Sequence, residues 1–96
     1  MSTAQERRHM GRVAALCCVL CRVLRIADDS PAVVHHLRTG TGKGRASHYD
    51  TMPLCPRHHD GNEGLHGMGV REFERVYGVT ELDLLALTKS DLGMPQ

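Results

Sequence analysis

A chain of 96 residues with three aromatic side chains (Tyr49, Phe73, Tyr77) and no tryptophan has room for one domain, residues 1–96, and too few large apolar groups to stabilise it by burial alone. Its 12 Lys/Arg nearly cancel 11 Asp/Glu for a net charge of +1, yet residues 1–47 carry eight basic against three acidic groups and residues 48–96 four against eight, so a basic half is available to phosphate. The longest apolar run, Val13 to Leu20, is too short to cross a bilayer and no hydrophobic signal core is seen, which predicts a cytoplasmic chain with reduced thiols and no membrane partner.

In chain order, residues 3–16 favour a helix burying Met10, Val13 and Ala14, with or without Leu16. The helix delivers the chain into Cys17-Cys18-Val19-Leu20-Cys21, where two residues between Cys18 and Cys21 suit a tight turn that aims two thiolates at one ion. Asp28-Asp29-Ser30-Pro31 is a turn signal, and the β-branched run that follows reads as a short strand ending in His35-His36-Leu37. Residues 38–47 are glycine-rich and basic without apolar periodicity, so they form a loop. Thr51 to Leu54 is a second short strand, which Pro53 confines to an edge or an end. Pro56 starts a helix just after Cys55 and brings His58 and His59 into its first turn.

After an interruption at Asp60 to Gly64, the spacing of Val70, Phe73, Val76 and Tyr77 predicts a helix closed by Gly78. Thr80 and Asp83 form a capping box for a last helix reaching about Thr88 through Leu82, Leu84, Leu85 and Leu87, with the tail frayed from Ser90. The folded part is expected over about residues 13–88.

Four cysteines and seven histidines are a heavy loading of metal-capable groups. Cys18 and Cys21 with Cys55 and His58 make two half-sites, each with two residues between its ligands, separated by a long insertion; this is the pattern of a closed structural zinc site. Such a site adds folding free energy to a chain short of core. Cys17 is either a small buried hydrophobe or the ligand in place of Cys18.

His35, His36, His59 and His66, with His48 and Asp50 between them, exceed what one closed site can use, so a second metal site is expected. It would leave a position open to substrate or water, with a separate neutral imidazole to take a proton. His9 is read as an ordinary surface or structural side chain.

Taken together and in order, Cys18-Val-Leu-Cys21, His35-His36-Leu37, the Gly/Lys/Arg loop, Pro53-Leu54-Cys55-Pro56-Arg57-His58-His59, Gly64-Leu65-His66-Gly67 and Phe73-Glu74-Arg75-Val76-Tyr77-Gly78 resemble the HNH (ββα-metal, His-Me finger) endonucleases, within them the phage Ref-like recombination-enhancement nucleases. The resemblance runs from about Val13 to Thr88. It implies an α+β, zinc-stabilised ββα-metal fold with an N-terminal helix and C-terminal helices, acting as a DNA endonuclease in phage or prophage recombination. By the same resemblance, His36 is the general base that activates water, and His35, His59 and His66 hold a catalytic divalent cation such as Mg2+, Mn2+ or Zn2+. Strand alternation sends His35 and His36 to opposite faces, so a twist or bulge is required, or the two exchange roles.

Where many family members carry asparagine, this chain has Asp50 with His48 two residues before it; both are kept as site candidates. Arg38, Lys43 and Arg45 would contact DNA phosphates without reading bases, against the alternative of a loop charged for solubility. A recombinase filament is the further partner the resemblance suggests. The rival class is a zinc-stabilised DNA- or protein-binding module that has lost cleavage. A zinc deaminase would need a His-x-Glu ahead of Pro-Cys-x-x-Cys, and neither is present.

Overall fold

A computed structural model describes residues 2–27, 30–41 and 44–94. Along these the elements run α1 (Ala4–Ala14), α2 (Val19–Leu24), β1 (Val33–His36), β2 (Thr51–Leu54), α3 (Pro56–His59), α4 (Leu65–Met68), α5 (Val70–Tyr77) and α6 (Glu81–Asp91). The Asp28-Asp29 part of the predicted turn, and Lys43, lie outside the described residues.

Thr3 and Glu6 cap α1 reciprocally, Thr3 Oγ1 accepting from Glu6 N and Glu6 Oε1 from Thr3 N. The buried face of α1 differs from the expected one. His9 and Val13 are buried, Met10 is half-buried and Ala14 is exposed, because the His9 ring packs on Tyr49 with centroids 4.8 Å apart and turns that stripe inward.

Cys18 and Cys21 sit not in a tight turn but at the start of a helix that the sequence pattern did not predict. Cys18 is the N-cap of α2, its Sγ accepting from Cys21 N at 3.4 Å. Six residues are too few to display a helical period, and Val19, Leu20 and Cys21 are buried consecutively.

β1 and β2 form an antiparallel pair in the register Val33–Leu54, Val34–Pro53, His35–Met52 and His36–Thr51. Each strand of a two-stranded sheet has an open edge, so Pro53 removes no ladder bond that a third strand needed. All four residues of β2 are buried, with α1, α2 and α6 packed around it.

Pro56 opens α3, and Gly78 closes α5 in the left-handed region at φ 73°, as the sequence suggests. Thr80 and Asp83 make the expected capping box of α6. This helix runs past Thr88 to Asp91 rather than fraying at Ser90, because Asp91 pairs with Arg22 and Arg12 donates to the Leu92 carbonyl at 3.1 Å. Its buried stripe is Glu81, Leu84, Leu85 and Thr88, at helical spacing, and this leaves Leu82 and Leu87 exposed. Val76 of α5 is likewise exposed, while Phe73 is buried.

The core joins Leu20, Met52, Leu54, Leu65, Phe73 and Leu84 to Cys18, Cys21 and Cys55. The thiols are therefore part of the hydrophobic centre. No helix among the described residues is long and apolar enough to cross a membrane.

Candidate functional site

Two groups of metal-capable side chains stand on either side of α3. In the first, Cys18 and Cys21 from α2 meet Cys55 and His58, all four buried. His58 Nδ1 lies 3.8, 3.4 and 3.3 Å from the sulfurs of Cys18, Cys21 and Cys55, and the sulfurs of Cys21 and Cys55 are 3.7 Å apart. A tetrahedral zinc with bonds of about 2.3 Å to sulfur and about 2.0 Å to nitrogen separates two sulfurs by about 3.8 Å and sulfur from nitrogen by about 3.5 Å. The four side chains thus stand at ligand spacing and can hold a metal ion. Burial, then the neighbouring thiols, pushes the Cys21 thiol far up, and burial likewise raises Cys55. Three sulfurs this close need a cation to ionise together. Cys18, not Cys17, faces the cluster; Cys17 is exposed.

In the second group His35 from the end of β1, His59 from α3 and His66 from α4 present nitrogens within 4.8 Å of one another. Nε2 of His59 and Nε2 of His66 are 3.1 Å apart, within the roughly 3.0 to 3.4 Å that separates two nitrogens on one small cation. His35 is buried, His59 half-buried and His66 exposed, so the trio opens from the protein interior to the surface.

Backbone packing places these rings. A side chain at Gly67 would run into the Gly61 carbonyl and one at Gly64 into the Asp60 backbone, so the Gly61 turn lies directly against α4 and carries His66 to His59. Tyr77 donates its hydroxyl to the Glu63 carbonyl at 2.6 Å and ties the same turn to α5.

The trio opens on a cleft of about 400 Å³, whose walls include His36, Arg38, Thr41 and Arg45. The strand pairing is regular through His36, so of the twist or bulge expected there no bulge is formed: His35 turns inward and His36 to the other side, yet both border the cleft. His36 Nε2 is 2.8 Å from His48 Nδ1, which leaves Nδ1 of His36 for a water. Burial, then the positive charge of Arg45, holds His36 below the ordinary histidine range, so its imidazole is neutral at neutral pH. Arg38 Nη1 stands 3.4 Å from His66 Nδ1 and puts a guanidinium at the rim of the trio.

His48 thus partners His36 and not the trio. Asp50 is drawn away: its carboxylate pairs with Lys89 at 2.9 Å and its carbonyl accepts from Leu37 N, so it braces the loop exit.

One residue at the site was not singled out from the sequence. Glu81, in the first turn of α6, is 1% exposed, with Oε2 2.6 Å from His35 Nε2. It also accepts from Arg38 N, Thr39 N and the Thr39 hydroxyl. Burial would raise its carboxyl, but the hydrogen bonds from His35, Thr39 and the backbone outweigh this and hold it at about 2. Forty-two residues separate it from Thr39, so the only signal for it was an acidic residue at the buried position of a capped helix.

Among curated proteins, no relative matches the chain. A family model described as "Recombination enhancement, RecA-dependent nuclease" matches residues 2–92 and so spans both cysteine half-sites, both histidine doublets, the basic loop and α6. The chain belongs to the recombination-enhancement, RecA-dependent nuclease family.

Proposed function

We propose that this protein is a metal-dependent DNA endonuclease of the HNH class that hydrolyses phosphodiester bonds in recombination. The observation that carries this reading is the neutral His36 on the same cleft as the His35, His59 and His66 trio and two arginines. The order β1, β2, α3 around that trio, with the buried cysteine cluster behind it, is consistent with a ββα-metal scaffold.

Cys18, Cys21, Cys55 and His58 would hold a structural zinc, while His35, His59 and His66 would hold the catalytic ion. When bound, that ion supplies positive charge against the phosphoryl oxygens and the departing 3′-oxygen. Three imidazoles with no carboxylate among them suit zinc-like transition ions better than magnesium.

His36 takes a proton from the attacking water on Nδ1. For this its Nε2 carries hydrogen and donates to Nδ1 of His48, which fixes the reactive tautomer and steadies the imidazolium that forms. Arg38 and Arg45 hold the phosphate from the cleft wall, and Lys43, between them in the sequence, would add positive charge. Contacts of this kind follow the backbone rather than base edges, so binding is salt-sensitive and weakly sequence-specific. The family description names RecA dependence, and a recombinase filament on DNA is accordingly the partner we assign.

The test is relaxation of supercoiled plasmid by purified protein with manganese, zinc or magnesium, with and without a recombinase filament, for wild type and a His36→Ala variant that retains tightly held zinc. Nicking by the wild type and its loss in the variant support the reading. Equal cutting by both removes His36 from the chemistry; inactivity of both under every condition identifies a zinc-stabilised binding module instead.

A further inference from the structure

The buried Glu81 carboxylate touches the candidate metal trio and the start of the basic loop at once. We infer that Glu81 is the positioning residue of the cleft: it selects the nitrogen that His35 turns to the metal and anchors Arg38 beside it. The inference rests on the reading of His35, His59 and His66 as a metal site.

A fully buried carboxylate persists only where donors surround it. Glu81 has four: the His35 ring at 2.6 Å, Arg38 N at 3.0 Å, Thr39 N at 2.8 Å and the Thr39 hydroxyl at 2.6 Å. Its place in the first turn of α6 adds the positive end of an eleven-residue helix. An ionised carboxylate only accepts hydrogen bonds, so His35 Nε2 must bear hydrogen. Nδ1 of His35 is then the lone-pair nitrogen, the one able to bind a cation, and the neighbouring carboxylate makes it a stronger donor to that cation.

The same oxygens accept from two consecutive backbone N–H groups where β1 leaves for the loop. They set the height at which Arg38 departs, and its guanidinium reaches the rim at His66. One side chain therefore fixes a ligand ring and a phosphate-binding residue together. A carboxylate that served α6 alone would need neither contact.

Two measurements on the full chain test this. In wild-type protein, long-range proton–nitrogen NMR correlation of the histidine rings should show His35 with hydrogen on Nε2; hydrogen on Nδ1 instead overturns the inference whatever any variant does. In Glu81→Gln, the amide cannot satisfy both the backbone N–H groups and the ring N–H. Manganese or cobalt affinity at the histidine site, followed by titration and by the cobalt absorption spectrum, should fall about 10- to 100-fold, while one equivalent of tightly held zinc remains. Unchanged affinity in a Glu81→Gln variant that keeps its zinc and its circular dichroism also overturns it. A wild type that binds only one metal refutes the metal-site reading itself, a result separate from either outcome for Glu81.

Discussion

The two metal-capable clusters use neighbouring residues of one short helix and end in opposite environments. His58 turns into the core with three thiols, all four side chains buried, whereas His59, one position on, joins two imidazoles at the edge of a cleft. A step of about 100° along a helix is enough to part them. Thiolate-rich and enclosed, the first arrangement suits an ion that never exchanges its ligands. The second, nitrogen-only and open on one side, suits an ion that must meet substrate. The doublet on β1 divides in the same way, His35 facing inward to the trio and His36 outward to His48, here because strand alternation replaces helical rotation.

Breaking the closed cluster should have the largest effect. Zinc-site free energies of order 10 kcal/mol exceed the marginal stability of a domain this small, so Cys55→Ser, or a strong chelator, should abolish cooperative thermal unfolding measured by far-ultraviolet circular dichroism. Cys17→Ser, one residue outside the cluster, should leave the melt within a degree or two.

The open cluster should respond differently. His66→Ala should keep the fold and the tightly held zinc, yet lower plasmid nicking by at least about tenfold through loss of a metal ligand or its neighbour. Gly67→Ala sharpens the point, because it alters no ligand. By forcing the Gly61 turn off α4 it should cost about 1–3 kcal/mol of stability in a denaturant melt and weaken metal binding at the trio.

The smallest expected effect lies outside both clusters. His9 is buried on Tyr49 with Nε2 unsatisfied among the described residues, and burial, then Arg12 and Lys89, hold it below the ordinary histidine range. The unfolded chain therefore binds a proton that the folded chain resists, so this stability is present above the ordinary histidine value and is lost as pH falls through the folded one. His9→Leu should flatten the decline in melting temperature between about pH 7 and pH 5.5 relative to wild type.

Much of this division was legible before any coordinates. The two-residue spacing inside each half-site named the buried cluster, Pro56 fixed where α3 begins, and Thr80, Asp83 and Gly78 marked helix ends through local hydrogen-bonding rules. These signals are short-range. What stayed hidden depends on long-range contact: α2 is too short to show a period, His9 is buried by a tyrosine forty residues away, and Glu81 meets His35 only after α6 packs on β2. The choice of Cys18 over Cys17 is likewise made by the helix that Cys18 caps, which spacing alone left open.

The comparison between adjacent histidines is also the most direct test. Zinc content, circular dichroism and plasmid nicking should be measured side by side for His58→Ala and His59→Ala. The account predicts that His58→Ala loses its zinc and its folded signal, while His59→Ala keeps both and loses nicking. If the two variants behave alike, whether both unfold or both remain folded and active, the separation of a structural from a catalytic centre is contradicted.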